Sequence, residues 1–292
     1  MEYKRLGNTR ERLSAIGIGT WQLSKDIKEN EKAINLAIEK GVNLIDTAEI
    51  YGTENTVGRI IKGKRLFIAT KVWATHFRYD QVLKACERSL KNLDVKSIDL
   101  YQLHWPNPRI NIKETMKAME KLVYDGKIRY IGVSNFNEME LRNAQEAMSK
   151  YEIVSNQVEY NLIERMPEIN LIDYMKKEKI TLLAYSPFAH GKIFKKKYKD
   201  IIERVGEIGK KYNKTAEQVL LRWLIQKDIV IPLTKASNPN HMQENIAAAD
   251  FKINQKDMKF IDSLTPKNSN AGLSRFKNFI AYYLILRDLL RL

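Results

Sequence analysis

Asn43-Leu44-Ile45-Asp46-Thr47-Ala48-Glu49-Ile50-Tyr51-Gly52-Thr53-Glu54 is the stretch on which the fold turns. A short apolar run ends in a carboxylate, and a tyrosine follows one turn later. Two further runs have the same shape. Leu66-Phe67-Ile68-Ala69-Thr70 leads to Lys71, and Ile98-Asp99-Leu100-Tyr101-Gln102-Leu103 leads to His104. Short apolar runs of this kind read as buried parallel strands. In a barrel of alternating strands and helices, residues just past the strand ends line the active face. Asp46, Tyr51, Lys71 and His104 are expected to gather there.

Working outward, the alternation runs through most of the chain. Strands are expected at 15–19, 43–46, 66–70, 98–103, 130–133, 154–158, 181–185 and 229–231. Helices are expected between them, at 30–40, 80–93, 112–125, 138–150, 167–179 and 215–226. Gly41 and Gly126 stand where helices would end, as left-handed caps. Eight strand–helix units favour an α/β fold closed as a (β/α)8 TIM barrel over an open sheet. Gly7-Asn8 is a turn signal, so residues 1–15 read as an N-terminal β-hairpin ahead of the barrel. No low-complexity linker divides the 292 residues, and one barrel domain over 1–292 is expected, with a C-terminal tail at 266–292. The segment 188–200, after the seventh strand, reads as a basic loop. In the tail the apolar run 279–286 is far short of the ~20 residues a membrane span needs. It reads as a helix packed on the barrel, with a lid over the pocket or a dimer contact as the sharper alternative.

Composition excludes little. Hydrophobic residues are 44% and charged residues 29%, ordinary for a globular protein. The single cysteine, Cys86, rules out an intrachain disulfide and fits a reducing compartment. Met1-Glu2-Tyr3-Lys4-Arg5 shows no apolar signal segment, so a cytoplasmic location is expected, with no membrane partner. The net charge of +15 suits either a phosphorylated ligand or a lysine-rich solvated surface. Its densest cluster, Lys192, Lys195, Lys196, Lys197 and Lys199, lacks interleaved stacking aromatics, so no nucleic-acid partner is expected.

The chemistry of the four residues is coherent. A carbonyl accepting hydride develops negative charge on oxygen, and a nearby acid must supply a proton. A tyrosine is a weak acid, with an unperturbed pKa of about 10, and a neighbouring ammonium lowers it. Lys71 would do this for Tyr51, Asp46 would hold Lys71, and His104 would align the carbonyl oxygen. The hydride must come from a cofactor, because no side chain carries one. Each residue taken singly has a structural use: a strand-end Asp caps the next helix, and a lone His is usually just hydrogen-bonded. Four together at three successive strand ends weigh against that.

Asp46-Thr47-Ala48-x-x-Tyr51-Gly52-x-Glu54, Thr70-Lys71-Val72-Trp73 and Leu103-His104-Trp105-Pro106 together resemble the motifs of the aldo-keto reductase family. The resemblance runs from the opening hairpin to about Asn245. It implies Tyr51 as proton donor, with Asp46, Lys71 and His104 as partners, and a nicotinamide cofactor. By the same resemblance, Ser134, Asn135 and Gln157 hold the nicotinamide carboxamide and Tyr185 stacks on its ring, with Thr20, Ser186 and Pro187 beside the cofactor. The competing uses are a helix cap for Ser134 and Asn135, and core packing for Tyr185. The segment after strand eight resembles the part of the family that binds the adenosine 2′-phosphate and adenine. Lys235 matches the phosphate-binding lysine, and Glu244 and Asn245 match the adenine end. Two positions depart from the pattern. Ala236 stands where a serine is common, and His241 stands where an arginine often clamps the phosphate. Histidine offers less charge and fewer donors than arginine's bidentate fork. NADP(H) is therefore expected, with NAD(H) also accepted, and Ser237 and Asn238 as alternative phosphate donors.

Trp21, Trp73 and Trp105 each follow a strand end and are expected to wall the substrate pocket, whereas Trp223 reads as core. An aromatic wall suits apolar or aromatic carbonyl compounds. Gly17-Ile18-Gly19 lacks the third glycine of a dinucleotide-binding fingerprint, there is no His-Glu-x-x-His, and no metal is expected. Cys86 reads as a packing residue. The expectation is an NAD(P)H-dependent reductase of aldehydes or ketones, a monomer or weak homo-oligomer. The rivals are an alcohol or sugar dehydrogenase running in the oxidative direction, and a non-catalytic NADP(H)-binding regulatory subunit.

Overall fold

The computed structural model describes residues 1–23, 26–235 and 237–265; the expected tail at 266–292 and Ala236 lie outside them. The chain opens with an antiparallel pair, β1 (Tyr3–Arg5) and β2 (Arg12–Ser14). The turn between them needs Gly7 twice over. Its φ is +51°, and a Cβ there would sit 2.8 Å from the Val154 carbonyl oxygen.

Alternating strands and helices follow: β3 (Gly17–Gly19), α1 (Ile27–Glu39), β4 (Leu44–Asp46), α2 (Glu54–Ile61), β5 (Phe67–Val72), α3 (Tyr79–Leu93) and β6 (Ile98–Leu103). The second half continues with α4 (Ile112–Tyr124), β7 (Ile128–Ser134), α5 (Glu138–Glu146), β8 (Ile153–Glu159), α6 (Leu171–Lys177) and β9 (Thr181–Tyr185). Then come α7 (Lys199–Tyr212), α8 (Ala216–Ile225), β10 (Val230–Thr234), α9 (Pro239–Ile246) and α10 (Gln255–Ser263). Strands β3 to β10 close a parallel barrel in chain order, β10 pairing back onto β3. This is the (β/α)8 barrel with an N-terminal hairpin that the alternation predicts.

Residues alternate between two cores, as the two-residue period of a strand requires. Leu44, Phe67, Ala69, Leu100, Leu183, Ile231 and Leu233 fill the barrel, while Ile45, Ile68, Val72, Tyr101 and Val133 face the helices. Leu6 and Leu13 of the hairpin join the inner core, and the Gly7 amide donates to Thr181 Oγ1 at 2.8 Å. The hairpin thus plugs the end of the barrel where the strands begin. Trp223 and Cys86 are fully buried in the outer core, and burial pushes the Cys86 thiol up to about 12. Among the described residues no helix is long and apolar enough to cross a membrane.

Three expected boundaries need correction. Helix α5 ends at Glu146, short of 150, because the Ser149 and Lys150 amides turn away to the Glu120 carboxylate at 2.9 and 2.7 Å. Helix α6 starts at Leu171 because Pro167 is spent in a separate 3-10 turn, Met166–Glu168. The basic segment after β9 is not loop throughout. It forms 3-10 turns at Ala189–Phe194 and Lys196–Tyr198 and runs into α7 at Lys199.

Helix α2 carries Gly58 where it presses on α3. A Cβ there would lie 2.6 Å from the Leu93 carbonyl oxygen, which is backbone and cannot swing away. Glycine in a helix costs roughly 0.5–1 kcal/mol relative to alanine. A backbone clash costs more, since overpacking a tight contact is worth about 1–3 kcal/mol. Gly58→Ala is therefore expected to lower stability in urea denaturation, against the sign that helix propensity alone predicts.

Candidate active site

The inward face of the barrel supplies the site. On β4 the inward residues are Leu44 and Asp46, on β5 Phe67, Ala69 and Lys71, and on β6 Leu100 and Gln102, continuing to His104. The apolar members form the inner core, and the polar ones sit one step higher, at the strand ends. Asp46 and Lys71 lie within their strands rather than beyond them, while His104 is the first residue past β6. Tyr51 is carried over the barrel by the 3-10 turn Glu49–Tyr51, closed by Gly52 at φ +67°. The Glu49 carboxylate fixes that turn from the side, accepting from the Trp73 amide and lying 3.1 Å from His76 Nδ1.

Lys71 is the hub. Its Nζ donates to Asp46 Oδ1 at 2.6 Å, to the Thr47 carbonyl at 2.8 Å and to the Tyr51 phenol oxygen at 3.5 Å. His104 Nε2 lies 3.5 Å from the same phenol oxygen. The imidazole is held edge-to-face between Tyr51 and Trp73, with ring centroids 5.4 Å apart in each pair. All four expected residues therefore meet. Asp46 Oδ2 also accepts from Gln157 Nε2 at 2.8 Å and from Gln102 Nε2 at 3.2 Å.

The electrostatics follow from burial. Burial pushes Lys71 towards neutrality, but the Asp46 carboxylate and Tyr51 more than restore it, and its pKa ends above the ordinary lysine value. Burial raises the Tyr51 phenol, and Lys71 pulls it back only in part, so it too ends above its ordinary value. Lys71 does lower the phenol, as expected, but desolvation outweighs it. Burial, then the Lys71 charge, drive His104 well below the usual histidine range, so its imidazole is neutral.

These groups floor a cleft of about 840 Å³. Thr20, Trp21, Trp73, Trp105, Ser134, Asn135, Gln157, Tyr185, Ser186, Pro187 and Lys235 line it, as do Asp46, Tyr51 and His104. Asn135 is engaged at both ends of its amide: Nδ2 donates to the His104 carbonyl and to Ser134 Oγ, and Oδ1 accepts from the Tyr185 hydroxyl. Ser134 Oγ donates to the Gln157 carbonyl at 2.9 Å. Ser134 and Asn135 thus bind the ends of β6, β8 and β9 to one another.

Five expected residues do not line the cleft but lie on or just before α9: Ser237, Asn238, His241, Glu244 and Asn245. Asn238 is the helix N-cap, its Oδ1 accepting from the Asn240 and His241 amides. Asn245 is buried, and His241 and Glu244 are exposed.

The structure adds residues that the motifs passed over. Gln102 and Glu159 were visible only as polar residues inside strand patterns. His190, Gly191 and Phe188 line the cleft from the segment after β9, where Ser186, Ala189, His190 and Gly191 all have positive φ. His190 stands edge-on to Trp21, 5.5 Å between centroids, and its Nε2 is 3.8 Å from Glu159 Oε2. The Trp21–His190 ring contact joins the segments after β3 and β9. Among the described residues no His/Cys/Asp/Glu group could hold a metal ion.

Comparison with known proteins agrees with this geometry. The aldo/keto reductase family profile matches residues 15–266. Methylglyoxal reductase YeaE of Escherichia coli K12 is 34% identical over 263 residues, spanning 87% of this chain and 92% of that protein. The solved thermostable aldo-keto reductase Tm1743, in complex with the inhibitor epalrestat, superposes with a TM-score of 0.85 at 41% identity, covering 90% of this chain and 100% of that one. An aldo-keto reductase from Klebsiella pneumoniae, solved with NADPH, gives a TM-score of 0.83 at 31% identity, covering 92% and 98%. With its barrel matched end to end and its four strand-end residues in contact, the chain belongs to the aldo/keto reductase family.

Proposed function

We propose that the protein is an NADP(H)-dependent reductase of aldehydes or ketones, with Tyr51 as the proton donor. The observation that carries this is the position of Lys71 Nζ, buried within reach of Asp46 on one side and the Tyr51 oxygen on the other, both of which line an open cleft. The Klebsiella relative was solved with NADPH, which supports the choice of cofactor.

The cleft residues fit a nicotinamide. Gln157 spends its Nε2 on Asp46, so the atom it offers a ligand is the acceptor Oε1, suited to a carboxamide N–H. The Tyr185 ring lines the same wall, held by its hydroxyl to Asn135. Lys235 is exposed at the mouth, a point charge for phosphate. The bound nicotinamide supplies the hydride.

The protein's own part is proton delivery. Tyr51 stays protonated at neutral pH and gives its proton to the carbonyl oxygen as charge builds there. The Lys71 ammonium then faces the phenolate, and Asp46 keeps that ammonium charged. His104, neutral, donates from Nε2 to the same carbonyl oxygen and fixes its direction. Trp21, Ile50, Trp73 and Trp105 give the substrate side an apolar, aromatic lining. YeaE is a methylglyoxal reductase, which makes methylglyoxal the first carbonyl to try.

Tyr51→Phe is expected to lower kcat for NADPH-dependent methylglyoxal reduction by about 10²- to 10⁴-fold, the usual worth of a positioned general acid. NADPH affinity, read by quenching of intrinsic fluorescence, should change less than about twofold on the same principle. Normal turnover by this variant would remove Tyr51 from its role.

His241→Arg tests the adenosine end. An arginine there would add a charge-assisted bond to a 2′-phosphate, worth about 1.5 kcal/mol, or roughly tenfold. The ratio of kcat/KM with NADPH to that with NADH should rise by about that factor. An unchanged ratio would place the phosphate elsewhere.

The neutral His104 reads out without turnover. Its folded pKa lies below its unfolded value, so as pH falls below about 6.5 the unfolded chain binds a proton that the native site refuses. Stability is therefore lost on acidification, by up to about 1.4 kcal/mol per pH unit from this group. Urea midpoints measured down to about pH 5 should fall less steeply in His104→Gln than in the wild type; equal slopes would contradict a depressed His104.

A further inference from the structure

Gln102 sits on β6 two residues before His104, on the same inward face, and is fully buried. Its Nε2 donates to Asp46 Oδ2 at 3.2 Å, while its Oε1 is buried with no hydrogen-bond partner among the described residues. The neighbouring strand has no room for a side chain at this level: a Cβ on Gly132 would lie 2.5 Å from Ser155 Oγ and 2.9 Å from Gln102 Cγ. A leucine would fill nearly the same volume without leaving a carbonyl unpaired, and would cost only the bond to Asp46. The amide is therefore poorly explained by packing. The partner it does have is the carboxylate that holds Lys71.

We propose that Gln102 is a positioning residue for the proton-donating group: it holds Asp46 Oδ2 so that Oδ1 stays on Lys71. Gln157 donates to the same oxygen, but it lines the cleft, so its side chain shifts with whatever its Oε1 binds there. Gln102 lies below the cleft and is not exposed to ligand. It keeps one hydrogen bond on Oδ2 through the whole cycle. With that bond gone, Oδ2 is held by Gln157 alone, the carboxylate is less firmly oriented on Lys71, and the phenolate left by proton transfer is less well faced by the ammonium. The charged groups beside the amide are Asp46 and, through it, Lys71.

This rests on the catalytic reading above. The test is kcat and KM for NADPH and methylglyoxal from about pH 6 to 9, with melting temperatures, for the wild type, Gln102→Leu and Gln102→Glu. Gln102→Leu is expected to lower kcat about tenfold, the lower end of the worth of one hydrogen bond to a charged group, while KM for NADPH moves less than about twofold and the melting temperature changes little, the unpaired carbonyl removed offsetting the bond lost. In Gln102→Glu the new carboxyl is buried beside Asp46 and keeps its proton at the acid end, where it donates to Oδ2 and kcat is close to wild type. As it ionises, kcat should fall, giving an alkaline limb the wild type lacks. A Gln102→Leu enzyme with unchanged kcat at every pH would overturn the role, as would losses in kcat and melting temperature together with no new limb in Gln102→Glu. A wild type that binds NADPH and reduces no carbonyl would instead sink the catalytic reading, and this inference with it.

Discussion

The Lys71–Asp46 ion pair is the constraint on which the upper half of the barrel depends. Both groups are buried, and their atoms are 2.6 Å apart. Removing two charges from water costs several kcal/mol each, and attraction repays this only when geometry is good and the remaining donors and acceptors are satisfied. The barrel meets that condition by convergence. Lys71 finds the Thr47 carbonyl and the Tyr51 oxygen, and Asp46 finds two glutamine amides. Strands β4, β5, β6 and β8 all contribute, which only a closed sheet allows.

The same arrangement explains why an acid as weak as a phenol is placed here. Burial makes Tyr51 hold its proton more firmly than free tyrosine does, so on the proposed reading the acid is kept loaded until it is needed. The ammonium that partly opposes this becomes most favourable once the proton has gone. On the proposed reading, stabilisation is thus directed to the charged state left by proton transfer, which is where it lowers a barrier.

Much of this was legible before any coordinates. The strand cores could be read because each is a short apolar run ended by a polar residue, and Asp46, Lys71 and His104 because they close such runs, with Tyr51 just beyond the first. Their meeting at 2.6 to 3.5 Å follows from closure in chain order. What escaped did so for physical reasons. Gln102 is an ordinary polar residue in a strand until the inward register of Leu100 and His104 is known. His190 owes its place in the cleft to a run of left-handed residues, which no periodicity signals. Helix α5 is cut short by Glu120, far away in sequence. Asn238 matched a phosphate-binding segment and caps a helix, a role short polar side chains fill readily.

The hairpin plug gives the molecule a polarity. Leu6 and Leu13 seal the end where the strands begin, and every group of the reactive cluster lies at the other end. Among the described residues, the cleft therefore opens away from the hairpin. The N-terminus lies on the sealed side, its first strand fastened by the Lys4 ammonium to the Lys227 and Val230 carbonyls at 2.7 Å. A surface tether or a fusion joined ahead of Tyr3 would leave the cleft facing outward, which makes this end the natural handle for immobilising the protein.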